Sequence, residues 1–205
     1  MLRERIASAG GDPAEVAVLA VTKTFGSDAL AGAYAAGLRD LGENYATELV
    51  TKATAFSQPG VRWHFLGAIQ TNKLPRLLEV ATCIQSVARL KEVEAISRRR
   101  PGMAVMVQLE LSGQPGRNGV TQVEAPALVA GAQALGLEVW GLMTVAPPDP
   151  VGARRAFRRL REMADDLGLP ERSMGMSDDL ELAVEEGSTM VRVGRALFGP
   201  RAART

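Results

Sequence analysis

Val18-Leu19-Ala20-Val21-Thr22-Lys23-Thr24 is the stretch on which the fold turns. It is an apolar, β-branched run of strand length that ends on a lysine, with Phe25-Gly26-Ser27 following as a turn. A run of this kind bounded by turn residues reads as a buried parallel strand. Burying an unpaired ammonium is costly. Lys23 must therefore snorkel to solvent, pair with an anion, or give up its charge by forming an imine.

The pattern repeats along the chain. After strand one, further strands are expected at 39–42, 61–66, 82–87, 104–111, 137–144, 172–175 and 189–193. Helices are expected at 1–9, 27–36, 46–56, from Gln70-Thr71-Asn72-Lys73 onward, 90–99, 124–135, 151–167 and 178–186. Ser27 reads as an N-cap, Gly37 as a helix stop, and Ser177 with Asp178-Asp179 as the cap of the last helix. Residues 112–119 form a Gly-rich loop, and Gly194 opens a short tail. Eight strands alternating with helices predict an α/β fold, a single (β/α)8 TIM barrel over 1–205. The last strand lacks a full helix after it, and the helix at 1–9 is expected to cover that gap. An open doubly wound sheet has the same periodicity and remains the rival.

Bulk properties narrow the function. Net charge is +1, so the basic face of a dedicated nucleic-acid binder is not expected. Cys83 is the single cysteine and His64 the single histidine, which argues against a disulfide framework and a His-based zinc site. Cys83 reads as a core residue. No apolar run reaches membrane-spanning length, and Met1-Leu2-Arg3-Glu4-Arg5 reads as an amphipathic helix, so a cytoplasmic protein is expected. The arginines at 154, 155, 158, 159 and 161 read as a solvated helix face.

In such a barrel the active site lies at the C-terminal ends of the strands. Lys23, Glu43, Asn44, His64, Glu110, Met143, Ser177, Arg192 and Gly194 all fall near strand ends. Ser177 and Gly194 follow strands seven and eight, where barrels often hold a phosphate. Either residue by itself also reads as an ordinary cap or turn. A lysine facing a phosphate cradle points to an aldehyde-bearing phosphate, pyridoxal 5′-phosphate (PLP), with Lys23 as the Schiff-base former. Arg192 would then lie near the pyridine nitrogen, where a permanent cation makes the ring a weak electron sink. Its plainer role is a salt bridge inside the barrel, to Glu43 or Glu110.

Six motifs occur in order: Leu19-Ala20-Val21-Thr22-Lys23-Thr24, Gly42-Glu43-Asn44-Tyr45, the run from Trp63 to Lys73, Gly141-Leu142-Met143-Thr144, the run from Ser173 to Asp179, and the run from Gly187 to Gly194. Together they resemble the pyridoxal phosphate homeostasis proteins, over residues 16 to 199. The resemblance implies the barrel of the alanine racemase N-terminal domain. It implies that Lys23 carries PLP, that Ser177 and the backbone around Gly194 and Arg195 hold the phosphate, and that Arg192 lies near the pyridine nitrogen. Asn44, His64 and Met143 are expected to line the pocket. The chain departs from the family pattern at Thr22 (usually Ser), Ala88 (usually Asp), Glu110 (often Asn), Arg117 (often Lys) and Arg195 (usually small).

The related racemases add a C-terminal β domain and a second catalytic base, a tyrosine from the partner subunit. Nothing after strand eight reads as such a domain, and His64 is the spare acid/base candidate here. The expectation is a monomeric PLP-binding protein of intracellular PLP (vitamin B6) homeostasis without robust catalysis, which buffers PLP or hands it to PLP-dependent apo-enzymes. The alternatives are a weakly active amino-acid racemase or related PLP enzyme, and a phosphate-binding barrel enzyme that uses Lys23 without PLP.

Overall fold

The structure is a computed structural model that describes residues 2–114 and 116–199. Met1, Pro115 and residues 200–205 lie outside the described residues, so the first helix, the loop 112–119 and the single-domain span are followed without them.

Eight strands, β1 (Ala17–Val21), β2 (Asp40–Glu43), β3 (Arg62–Phe65), β4 (Cys83–Val87), β5 (Ala104–Leu109), β6 (Glu138–Thr144), β7 (Glu171–Ser173) and β8 (Met190–Val193), close into a barrel. Every neighbouring pair is parallel, and β8 returns to β1 with Leu19 opposite Arg192 and Ala20 opposite Val193. The doubly wound rival is thereby excluded. The helices are α1 (Leu2–Ser8), α2 (Ser27–Ala35), α3 (Ala46–Ala55), α4 (Leu74–Val80), α5 (Leu90–Ser97), α6 (Ala125–Ala134), α7 (Pro150–Asp166), α8 (Leu180–Glu185) and α9 (Arg195–Phe198).

The alternation of side chains along each strand divides the core in two. Leu19, Val21, Cys83, Met106, Met143 and Met190 pack together within the ring. Ala20, Leu41, Phe65, Ile84 and Val105 face outward, under the helices. Lys23 lies two residues beyond Val21, and so continues the inward-facing row. Asn44 likewise extends the row of Asp40 and Gly42.

α1 does cover the gap beside β8. Its Ile6 packs with Val191 and Val193 of β8 and with Leu180 and Val184 of α8. Arg5 donates to Glu181 at 2.5 Å and to the carbonyl oxygen of Ser177 at 3.0 Å.

Several local expectations are corrected. Strand one ends at Val21 rather than Lys23, because Thr24 adopts φ +67° and breaks the extended run. Ser27 is the first helical residue of α2, and Gly26 occupies the cap position. Ser177 does not cap α8; Asp179 stands there, while the Ser177 hydroxyl accepts from the Ala196 N–H at 3.1 Å. Gly194 opens the one-turn helix α9 rather than a plain tail. The arginine face of α7 is not simply solvated: Arg154 and Arg158 both donate to Glu186 at 3.0 Å.

Candidate functional site

A cavity of 570 Å³ lies at the C-terminal mouth of the barrel. Its wall includes Lys23 after β1, Asn44 after β2, Met143 of β6, Ser177 after β7, and Arg192, Gly194 and Arg195 around the end of β8. Glu43 and Glu110 are not on this wall, and among the residues expected to bind the cofactor the one left off it is His64. It is fully buried lower in the ring, with Nε2 2.9 Å from Asp40 Oδ1 and Nδ1 2.9 Å from Gln85 Nε2.

Lys23 is held from below. The Thr22 hydroxyl donates to Glu43 Oε1 at 2.7 Å, and Lys52 Nζ donates to both the Thr22 carbonyl and Glu43 Oε1 at 2.6 Å. Burial raises the Glu43 carboxyl above its ordinary value, although the Lys52 and Thr22 bonds pull the other way. On the other side of Lys23, the Thr24 N–H donates to Glu48 Oε1 at 2.7 Å. A β-branched residue at positive φ is strained by roughly 1–3 kcal/mol, and such strain concentrates at functional sites. The strained turn and the pinned strand end together fix where the lysine leaves the backbone.

Arg192 is buried, only 5% exposed, yet no carboxylate pairs with it among the described residues. The suggested salt bridge to Glu43 or Glu110 is therefore absent. Arg192 Nη1 donates to the Ser173 carbonyl at 2.6 Å and its hydroxyl at 3.0 Å, and Nη2 donates to the Thr144 carbonyl at 2.7 Å. Burial lowers the guanidinium to about 10, with Asp179 opposing that shift. Glu110 closes its own loop, accepting from the Ser112 hydroxyl and from the N–H groups of Ser112 and Gly113. Arg195, one of the departures, is ion-paired at the exposed rim with Asp178, which offsets its extra positive charge.

Sequence reasoning missed Lys52, Asp40, Gln85 and Ser173. Lys52 carried one signal, its placement four residues after Glu48 on a helix. Gln85 carried another, a long polar side chain inside the otherwise buried strand Cys83-Ile84-Gln85-Ser86-Val87.

With one amine, a hydroxyl, glycine backbone and a buried cation around one cavity, the wall can bind an anion at one end and react with an electrophilic carbonyl at the other. The family model described as alanine racemase, N-terminal domain, matches residues 3–202. The chain is 43% identical over 211 residues to the pyridoxal phosphate homeostasis protein of Pseudomonas aeruginosa, covering 98% of this chain and 91% of that protein. It is 36% identical over 220 residues to the protein of that name from Escherichia coli K12, covering 98% and 94%. PipY of Synechococcus elongatus PCC7942, solved with PLP bound, superposes with a TM-score of 0.84 at 32% identity, covering 97% of this chain and 100% of that one. The barrel, the motifs and these likenesses agree: the chain belongs to the alanine racemase N-terminal domain family, among the pyridoxal phosphate homeostasis proteins.

Proposed function

We propose that this protein binds PLP covalently through Lys23 and serves intracellular PLP homeostasis, holding the cofactor and handing it to PLP-dependent apo-enzymes. The observation that carries this reading is the convergence of Lys23, Ser177, Arg192 and Gly194 on one cavity. PLP supplies an aldehyde that condenses with an amine, and a phosphate that needs an anion site. The chain's residues suit both ends. Ser177 accepts from Ala196 and keeps its own O–H to donate to a phosphate oxygen. The backbone of Gly194 and Arg195 completes that end, with Asn44 and Met143 on the walls. Arg192, locked by Ser173 and Thr144, would meet the ring nitrogen as a cation and so disfavour a proton there. That arrangement makes the ring a weak electron sink, which favours holding over turnover.

The racemase alternative gains nothing from His64, whose two ring nitrogens are both engaged away from the cavity. The reading extends to a monomer working in the cytoplasm without nucleic-acid or membrane partners. Among the described residues no helix is long and apolar enough to cross a membrane.

The test is direct. Purified protein titrated with PLP should develop a visible absorption band, and borohydride should then fix the cofactor on the peptide containing Lys23, as read by mass spectrometry. A colourless protein that PLP does not titrate, or a label on another lysine, would overturn the reading. Incubation with L- and D-amino acids, followed by chiral chromatography, decides between holder and racemase.

A further inference from the structure

A line of hydrogen bonds crosses the inside of the barrel from its floor to the cavity. At the floor, Arg62 grips Asp40 with Nε 2.6 Å from Oδ1 and Nη2 2.5 Å from Oδ2. Asp40 Oδ1 is also 2.9 Å from His64 Nε2. His64 Nδ1 is 2.9 Å from Gln85 Nε2, and Gln85 Oε1 accepts from the Ser173 hydroxyl at 2.7 Å. Ser173 Oγ in turn accepts from Arg192 Nη1 at 3.0 Å. His64, Gln85 and Ser173 are fully buried.

The direction of each bond can be assigned. Gln85 Nε2 has a second acceptor, Met190 Sδ at 3.1 Å, so its amide nitrogen faces His64 and Met190 while its oxygen faces Ser173. His64 Nδ1 must then accept, which leaves its proton on Nε2, donated to Asp40. The donors run one way throughout: Arg192 to Ser173 to Gln85 to His64 to the Asp40 carboxylate. A buried cation with no carboxylate bonded to it among the described residues thus stands at one end, and an anion at the other.

We propose that Asp40, His64, Gln85 and Ser173 are positioning residues that carry the counter-charge of Arg192 through a polarised relay, and so set the field that bound PLP meets at its ring. The proposal rests on the PLP reading above. Aligned hydrogen bonds in a low-dielectric interior polarise one another, so the charge at the far end is felt at the near one. The other charged groups at the cavity end, among the described residues, are Lys23, Arg117, Asp179, and the Asp178–Arg195 pair at the rim. At the floor, Glu171 acts on Arg62 from β7.

The test compares two variants of the PLP-loaded protein. Asp40→Asn keeps the shape of the side chain but removes the anion. Arg62→Gln breaks the same ion pair but leaves the anion less neutralised. The readout is the pH midpoint of the visible band of bound PLP, which reports the proton on the nitrogen joining it to Lys23. Asp40→Asn should lower that midpoint by about half a pH unit, and Arg62→Gln should raise it. A merely structural role would move both the same way. Shifts of one sign, or no shift while PLP still binds, overturn the relay. Failure of the wild type to take up PLP overturns the functional reading instead. The apo-protein then still decides the relay: its single histidine gives unambiguous nitrogen NMR signals, and a proton on Nδ1 of His64 rather than Nε2 would overturn the bond directions.

Discussion

Lys52 and Glu43 meet at 2.6 Å directly beneath the residue that precedes Lys23, and the second carboxylate oxygen of Glu43 is buried without a hydrogen-bond partner among the described residues. Glu43 thus depends on Lys52 for its compensation. Replacing Lys52 by Met should leave a buried, uncompensated charge and destabilise the protein by about 3 kcal/mol at neutral pH. Burial already raises the Glu43 carboxyl, so mild acid should protonate it in the variant and recover part of the loss. Urea denaturation at neutral and mildly acidic pH checks this. An equal loss at both would show that packing, not charge, is at stake.

Acid stability should report the floor of the barrel. Burial pushes the Asp40 carboxyl up, but its bonds to His64 and Arg62 more than offset this and bring it from 3.8 to about 2. A lowered carboxyl stabilises the fold above its unfolded value, and that contribution disappears as the pH falls through the folded one. About 2 kcal/mol should therefore be lost between pH 4 and pH 2. Denaturation midpoints across that interval should fall in the wild type, whereas Asp40→Asn should already lack this contribution and fall less steeply.

Ser177→Ala should weaken PLP binding by roughly ten- to a hundredfold, the range for losing one hydrogen bond to a charged group. The covalent link should still form, because the amine comes from Lys23 after β1 and not from the segment after β7 that carries Ser177. Equilibrium titration monitored by the visible band gives the affinity. An unchanged affinity would remove Ser177 from the phosphate site.

Gly67→Ala tests how closely the site is built on backbone packing. A Cβ at Gly67 would stand 1.8 Å from the carbonyl oxygen of Asn44, an overlap that only a backbone shift relieves. The Gly67 carbonyl is itself held by the Ser86 hydroxyl at 2.6 Å. The variant should lose about 1–3 kcal/mol of stability and bind PLP more weakly, since Asn44 lines the cavity. Thermal denaturation with and without PLP separates the two effects.

The architecture was legible because β1, β4, β5, β6 and β8 are short, largely apolar runs, and because unusual polar residues recur near the strand ends. Lys23, Ser177, Arg192 and Gly194 could be brought together on paper once the ring was assumed, since a barrel places all strand ends at one mouth. His64 could not be positioned in that way. It lies within β3, and the buried polar partners Asp40 and Gln85 hold its side chain below the cavity. Ser177 was misread for a related reason: a Ser followed by Asp-Asp looks like a cap, but the chain turns first and Asp179 takes that place. Lys52 and Gln85 act on residues far away in sequence, such as Thr22 and Ser173, and local pattern carries no record of those partners.

The seam between β1 and β8 has a consequence for how the protein comes into being. Lys23 and Gly194 sit beside the two strands of largest chain separation, and Phe25 and Phe198 meet across the same junction as a tilted pair with ring centroids 5.0 Å apart. Joining these ends carries the greatest loop-closure entropy of any strand pair in the ring. A growing chain on the ribosome cannot assemble the cavity until β8 has emerged, so capture of the ligand should mark a finished molecule and favour it over partly folded ones.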